Sequence, residues 1–541
     1  MMKQLKQQFE SCATLLVQYL RRDWKKILVW VLGLGLFCSV YVPAFEKVAQ
    51  GNGHVGMFIT MGNPAMIALV GPTPITSAAD YTVGAMYAQE MLLFCSIMAM
   101  VVSILHVVGH TRHEEDLGLS EMIRAFPVGR QASSLAVVIE TIGINLVLGV
   151  FTGVVMASFR EASITFAGSM LFGLSLSVAG ILGAAIALVF AQIMPTASGA
   201  SGASLGVLGL LYILRAASDG HNETLSLVNP LGSTYLAYPM TQNRWWVLLI
   251  ALGYPVVLFA VAALLENGRD MTASYIPERL GRSHARRGLL SVHGMLLRLN
   301  RGIIIAWLVA FACLGAVYGS IYGDMRTFLD SNQLMKMMFV DSGTSLEASF
   351  TSTILIVLSG LAAILPIVIV NKLYTEETRL HLSQIMSTQV TRSRLFWTNV
   401  ALAFICAILG TLLTAGSLGA AAISSTSGHM SIGMGDFLAA GFNQLPVMLI
   451  FVSLAALLLG LAPQLGKVAY GYLTYAILLS YFGNMLDLPK WVTKTSPLNW
   501  MPRMPVDSFK LAPFLAVTAA VIVMTVVGAW SYSRRDMREG A

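Results

Sequence analysis

About twelve apolar stretches, each near 20 residues long, dominate the chain of 541 residues; they centre on 27–44, 86–108, 134–157, 166–191, 203–219, 245–265, 303–322, 351–370, 397–422, 443–462, 468–486 and 512–530. A helix needs roughly 20 mostly apolar residues to cross the hydrocarbon core of a bilayer. Lipid offers the backbone no hydrogen-bond partner, so each stretch must be helical to satisfy its own peptide groups. Composition agrees, with 56% hydrophobic and only 11% charged residues against about one quarter charged in soluble domains. The expectation is an all-α integral membrane protein.

Orientation follows from the basic residues, which concentrate on the cytoplasmic side of a span. With the N-terminus inside, the segments 1–26, 109–132, 266–302, 371–396, 462–467 and 531–541 would hold 24 of the 34 Lys and Arg. Both termini are therefore expected in the cytoplasm, in a multi-pass protein of the bacterial plasma membrane. The formal net charge of +7 is this bias facing anionic lipid. Scattered over many loops, it gives no support to nucleic-acid binding. Cys12, Cys38, Cys95, Cys313 and Cys406 have no regular spacing, so no disulfide framework is implied. Arg21, Arg22, Lys25 and Lys26 precede the first span, which lacks a small-residue cleavage site and reads as a retained anchor.

The spans fall into two sets of six. Glu114-Glu115 is followed by Arg130, and Glu376-Glu377 by Arg392, each Arg fifteen residues after the second Glu and the copies 262 positions apart. Trp30 and Tyr41 recur as Trp307 and Tyr318 at an offset of 277, Asn229-Pro230-Leu231 as Ser496-Pro497-Leu498, and Gly268-Arg269-Asp270-Met271 as Arg534-Arg535-Asp536-Met537. One duplicated unit with loop insertions explains all four. The expected organisation is a first half over 1–270, a cytoplasmic linker over 271–300 and a second half over 301–541. Leu5 to Tyr19 and Leu289 to Leu299 alternate apolar and polar residues at roughly helical spacing, as amphipathic surface helices or as ordinary solvated flanks of a span.

Each Glu-Glu pair begins where a span should emerge into the cytoplasm. In the first copy Leu117, Leu119, Met122, Ile123 and Phe126 supply apolar contacts, Glu115, Glu121 and Arg124 supply charge, and Pro127 closes the helical part. In the second, Leu380, Leu382, Ile385 and Met386 stand against Arg379, His381 and Gln384. Leu380 replaces Gly118 and Gln389 replaces Pro127, so 114–130 is expected to be the better-ordered contact and 376–392 to dock differently.

The pattern Arg-x-Glu-Glu-x-x-Gly-x-x-Glu followed by Pro-Val-Gly-Arg at 127–130 resembles the first intracellular loop of type-2 ABC exporter permeases, where it forms the coupling helix against an ATPase subunit. Asn63-Pro64-Ala65 with Gly71-Pro72, Leu214-Arg215-Ala216 with Asp219, Asn229-Pro230-Leu231-Gly232 and Arg534-Arg535-Asp536 resemble more narrowly the fused twelve-span exporters of polyketide antibiotics, of the tetronasin-resistance type. The resemblance implies two six-helix halves of the type V exporter kind and efflux of hydrophobic, polyketide or polyether compounds with resulting antibiotic resistance. It also implies ATPase-coupling roles for Glu114, Glu115, Gly118, Glu121, Arg124, Glu376, Glu377, His381 and Gln384. No Gly-x-x-x-x-Gly-Lys-Ser/Thr loop occurs. ATP and Mg are thus expected on a separate ABC ATPase, two copies per chain, with no cofactor bound here and no enzyme activity in this chain.

Charged groups within spans tend to mark function. Glu90, Glu140, Asn145 and Arg215 are the candidates for a translocation path. Arg215 and Asp219 stand four apart, as a local ion pair would; Glu140 either pairs with Arg215 across helices or lines a cavity; Glu90 snorkels to the outer surface. His106, His110 and His113 follow one helix face, but a third ligand one turn further on a straight helix does not reach the same ion, so no metal is expected. The 29 methionines suit variable apolar ligands and equally fill membrane cores. A proton-coupled secondary drug transporter is the alternative. It lacks the Gly-x-x-x-Asp-Arg-x-Gly-Arg-Arg signature of major-facilitator carriers after the second span. A membrane enzyme on lipid-linked substrates finds no nucleophile-and-base constellation.

Overall fold

In a computed structural model, residues 7–50, 53–62, 64–219, 223–270, 273–277, 283–324, 346–426, 430–482 and 489–536 are described. Leu5, Asn63, Met271 and Met537, used above, lie outside them. The chain divides into two compact units, Met1–Leu280 and Gly281–Ala541. Among the described residues there is no strand, and eleven helices are long and apolar enough to cross a membrane. Of the twelfth stretch, 468–482 forms the helix Val468–Phe482, and 483–486 lies outside the described residues.

The main helices of the first unit are α1 (Cys12–Phe37), α2 (Val83–His110), the short α3 (Leu119–Arg124), α4 (Ala132–Ser158), α5 (Phe166–Ile193), α6 (Ala197–Asp219) and α7 (Trp245–Gly268). The second unit has α8 (Val292–Ser320), α9 (Leu346–Ala362), α10 (Ile364–Thr378), the short α11 (His381–Met386), α12 (Arg392–Ser425), α13 (Met434–Leu461), α14 (Val468–Phe482) and α15 (Leu511–Arg534). The amphipathic segments run into the spans that follow them. Residues from Cys12 onward are the first turns of α1, and those from Val292 onward the first turns of α8.

Both units pack alike: α1 against α4 and α8 against α12, α5 against α7 and α13 against α15. The most enclosed helix of the first unit is α5, which also meets α2 and α4. Lipid tails are as apolar as leucine, so close helix contact in a membrane depends on small residues that let backbones approach. Gly149 of α4 and Gly173 of α5 do this for each other: a Cβ on Gly149 would stand 2.2 Å from the Gly173 carbonyl oxygen, and the reverse gap is 2.0 Å. In the second unit a Cβ on Gly460 of α13 would meet the Gly528 carbonyl oxygen of α15 at 2.3 Å.

Second spans differ between the units. Whereas α2 runs unbroken, its counterpart is interrupted at Ala363 between α9 and α10, with Pro366 in the first turn of α10. Proline is tolerated there because the first-turn amides lack intrahelical acceptors.

Candidate functional site

The repeated loops close onto the ends of their own units by the same pair of contacts. In the first, Arg269 beyond α7 donates to Glu115 at 2.5 and 3.0 Å, and Arg130 donates to the carbonyls of Arg269 at 2.5 Å and Glu266 at 3.2 Å. In the second, Arg535 beyond α15 donates to both oxygens of Glu377 at 2.5 and 2.6 Å, and Arg392 donates to the Arg535 carbonyl at 2.6 Å. The fifteen-residue spacing from Glu to Arg thereby acquires a physical meaning. The Glu takes the guanidinium and the Arg takes the backbone carbonyl of one residue, so the loop is clamped at both its ends. Two-point, charge-assisted contacts of this kind fix direction as well as distance.

Several expected ATPase contacts are therefore internal. Glu114 is buried, paired with Arg22 at 2.9 Å and close to the Tyr19 hydroxyl at 3.5 Å. Glu115 is shared between Arg112 and Arg269. Glu377 is buried against Arg535, and Glu376 pairs with His381 at 2.6 Å. These groups position the loop, and what faces outward is the short helix between the clamps. Glu121, Met122 and Phe126 are exposed, the last two at 68% and 70%, and Arg124 turns back to the Arg130 carbonyl at 2.9 Å. His381 and Gln384 are exposed in the second copy, while Leu382 points inward and is buried.

The asymmetry lies in the side chains more than in the backbone. Gly118 precedes α3 with φ 72° and Leu380 precedes α11 with φ 63°, the same left-handed turn in both copies. Leucine holds it against a Cβ clash worth about 1–2 kcal/mol. Leu380→Gly is accordingly expected to raise stability and Gly118→Ala to lower it, each by about 1 kcal/mol, read as opposite shifts in thermal unfolding of the purified chain. At the offset of 262, exposed Leu117, Leu119, Met122 and Phe126 correspond to Arg379, His381, Gln384 and Thr388, all exposed and polar. One loop presents an apolar patch and the other a polar one. Beside α3 a groove of about 540 Å³ runs between the start of α1 and Pro127, and its counterpart of about 250 Å³ lies between α8 and α11.

The intramembrane candidates separate into distinct places. Arg215 pairs with Asp219 at 2.8 Å and donates to the carbonyls of Ala68 and Leu69. Glu140 does not reach it; it meets His106 Nε2 at 3.3 Å. Asn145 joins Ser103 of α2 at 3.0 Å through its side chain and Ser177 of α5 at 2.8 Å through its carbonyl, a bridge between three helices. Glu90 does not simply snorkel, since its Oε1 is enclosed and has no hydrogen-bond partner. Residues missed by sequence reasoning are Asp23, Arg269 and Arg535. For the last two the signal was present, because Arg-Asp recurs at both unit ends.

A multi-pass, all-helical membrane protein of two like-packed units, each carrying a clamped loop, is the class these features define. The model for the C-terminal domain of the multidrug efflux system permease Rv1217c matches residues 289–533. The multidrug efflux system permease protein Rv1217c of Mycobacterium tuberculosis (strain ATCC 25618 / H37Rv) is 30% identical over 535 residues, covering 98% of this chain and 96% of the relative. This chain belongs to that family of multidrug efflux permeases.

Proposed function

We propose that the chain is the membrane subunit of an ATP-driven exporter of hydrophobic compounds, polyketide or polyether antibiotics among them, in a bacterial plasma membrane. ATP would be hydrolysed on separate ABC ATPase subunits, two per chain, that seat on α3 and α11. The observation that carries this reading is the duplicated clamp: Glu–Arg pairs hold a short helix outward at the same place in both units. Such a loop transmits force between a soluble partner and the spans, because a rigid attachment moves with its helix ends. The exposed apolar patch around Met122 and Phe126, large for a solvent-facing loop, suits a partner surface. The resemblance to exporters of the tetronasin-resistance type supports the substrate class.

Charge reversal at Glu121 and Arg124 together with Met122→Glu is expected to abolish co-purification of the ATPase and antibiotic efflux while the chain still inserts and folds. Unchanged co-purification and efflux would sink the docking assignment. The second reading, proton-coupled efflux, is favoured by the unpartnered carboxylate oxygen of Glu90. Efflux that collapses with the proton gradient at constant ATP would select it.

A further inference from the structure

Between α1, α2 and α4 of the first unit lies a set of buried polar groups that neither the clamp nor the family assignment uses. His106 and His110, one turn apart on α2, face Glu140 of α4, and one ligand atom from each lies within 4.8 Å of the other two. All three are buried, as is Asp23 of α1, whose Oδ2 is 2.6 Å from His110 Nε2. Sequence spacing nominated His113 as the third group on this helix face; the fold brings Glu140 instead, from a different helix, which removes the reach problem of a straight helix.

Two local accounts call for an added proton or cation. Glu140 is 2% exposed, its Oε1 has no hydrogen-bond partner, and its other oxygen meets only a histidine at 3.3 Å. A buried carboxylate so poorly served is costly unless something positive sits beside it. His110 has the complementary difficulty. Its Nε2 faces the Asp23 carboxylate and its Nδ1 faces the His106 carbonyl at 2.9 Å, so both ring nitrogens point at acceptors while a neutral imidazole carries one N–H.

The second unit argues that the fold itself does not require this set. At the offset between Trp30 and Trp307, Asn300 stands where Asp23 does; at the offset between the Glu-Glu pairs, Val368, Lys372 and Leu402 replace His106, His110 and Glu140. Lys372 there donates to the Leu299 carbonyl at 2.5 Å.

We infer that His106, His110 and Glu140 form a binding site for a divalent transition-metal ion of the zinc type, with Asp23 orienting His110. Imidazole and carboxylate are the donors such ions take, with bonds of about 2.1 Å that put neighbouring tetrahedral ligands about 3.4 Å apart. The 3.3 Å between His106 Nε2 and Glu140 Oε2 matches that edge. A carboxylate on the far nitrogen of a ligand histidine is the usual orienting partner, which fits Asp23 on Nε2; Nδ1 of His110 would bind the metal by exchanging its 2.9 Å contact with the His106 carbonyl for the ion. The ion would tie α1, α2 and α4 together just inside the Glu-Glu loop of the first unit alone.

Trp30 gives the site its own reporter, because its ring stands edge-on to His106 with centroids 5.2 Å apart. The full chain in detergent, stripped with chelator, is titrated with Zn²⁺ and, in parallel, with Co²⁺ while tryptophan emission is followed against a Trp30→Phe reference. Expected are one equivalent of zinc retained per chain after desalting, and Co²⁺ quenching of the Trp30 component that Zn²⁺ reverses. His106→Ala and the near-isosteric Glu140→Gln should lose retention, His113→Ala should keep it, and Asp23→Asn should weaken it about 10–100-fold. A folded wild-type chain that retains no zinc, or retention that survives both His106→Ala and Glu140→Gln, overturns the assignment. So does a Trp30 signal that answers to pH and to no metal, which would make the cluster a proton site.

Discussion

Replacing Arg535 with alanine is expected to destabilise the second unit by about 3–5 kcal/mol, the usual cost of stranding one partner of a buried ion pair. Glu377 is 1% exposed, and its two oxygens each accept from the guanidinium of Arg535. Without that partner the enclosed carboxylate loses both guanidinium contacts at once. Further contacts go with the same side chain: Arg535 donates to the Leu459 carbonyl at 3.1 Å and lies 4.9 Å over the Tyr532 ring. Thermal unfolding of the purified chain measures the loss. Glu377→Gln combined with Arg535→Met should recover much of it, since removing both charges leaves nothing stranded. Arg269→Ala in the first unit should cost less, because Glu115 keeps Arg112 as a second partner at 2.9 Å and is more exposed. Equal losses at both arginines, or no recovery in the double variant, would contradict the clamp.

The second large effect is expected at Arg215, a fully buried arginine inside α6. It donates to Asp219 and to the carbonyls of Ala68 and Leu69, the latter two at 2.7 and 2.8 Å, and its guanidinium stands 4.4 Å from the Tyr212 ring centroid. Those carbonyls belong to the last turn of the helix Pro64–Val70, where backbone acceptors lack intrahelical donors. Arg215→Met is expected to cost about 3–5 kcal/mol, because it leaves Asp219 buried and a helix end unsatisfied together. Tyr235 donates to Asp219 at 2.6 Å; burial first, and then the adjacent carboxylate, push its hydroxyl far above the usual tyrosine range, so it remains a donor. Arg215→Met with Asp219→Asn should therefore retain more stability than Arg215→Met alone, the amide still accepting from Tyr235. Full stability in the single variant would reduce Arg215 to a spectator.

Much of this was legible in the chain. Apolar length is a local property, so α1, α2, α4 and α5 could be read off directly, as could the duplication. For the loops, charge and amphipathic spacing located the helices α3 and α11, but exposure could not be assigned. Glu121 and Glu377 look alike in sequence; one faces outward and the other is sealed by Arg535, a residue 158 positions away. Likewise the exchange of Gly118 for Leu380 is visible in the sequence, but not that both residues adopt the same left-handed conformation.

By itself the sequence determined an all-helical membrane protein of two repeated units, because twenty-residue apolar runs and fixed-offset repeats need no partner to be recognised. Only the tertiary structure decided which carboxylates are clamps and which face outward, and that Glu140 joins His106 and not Arg215. Those outcomes depend on which helices lie side by side, and side-chain pairing across helices is set by packing at small residues such as Gly149 and Gly173, whose spacing along the chain says nothing about who their neighbours are.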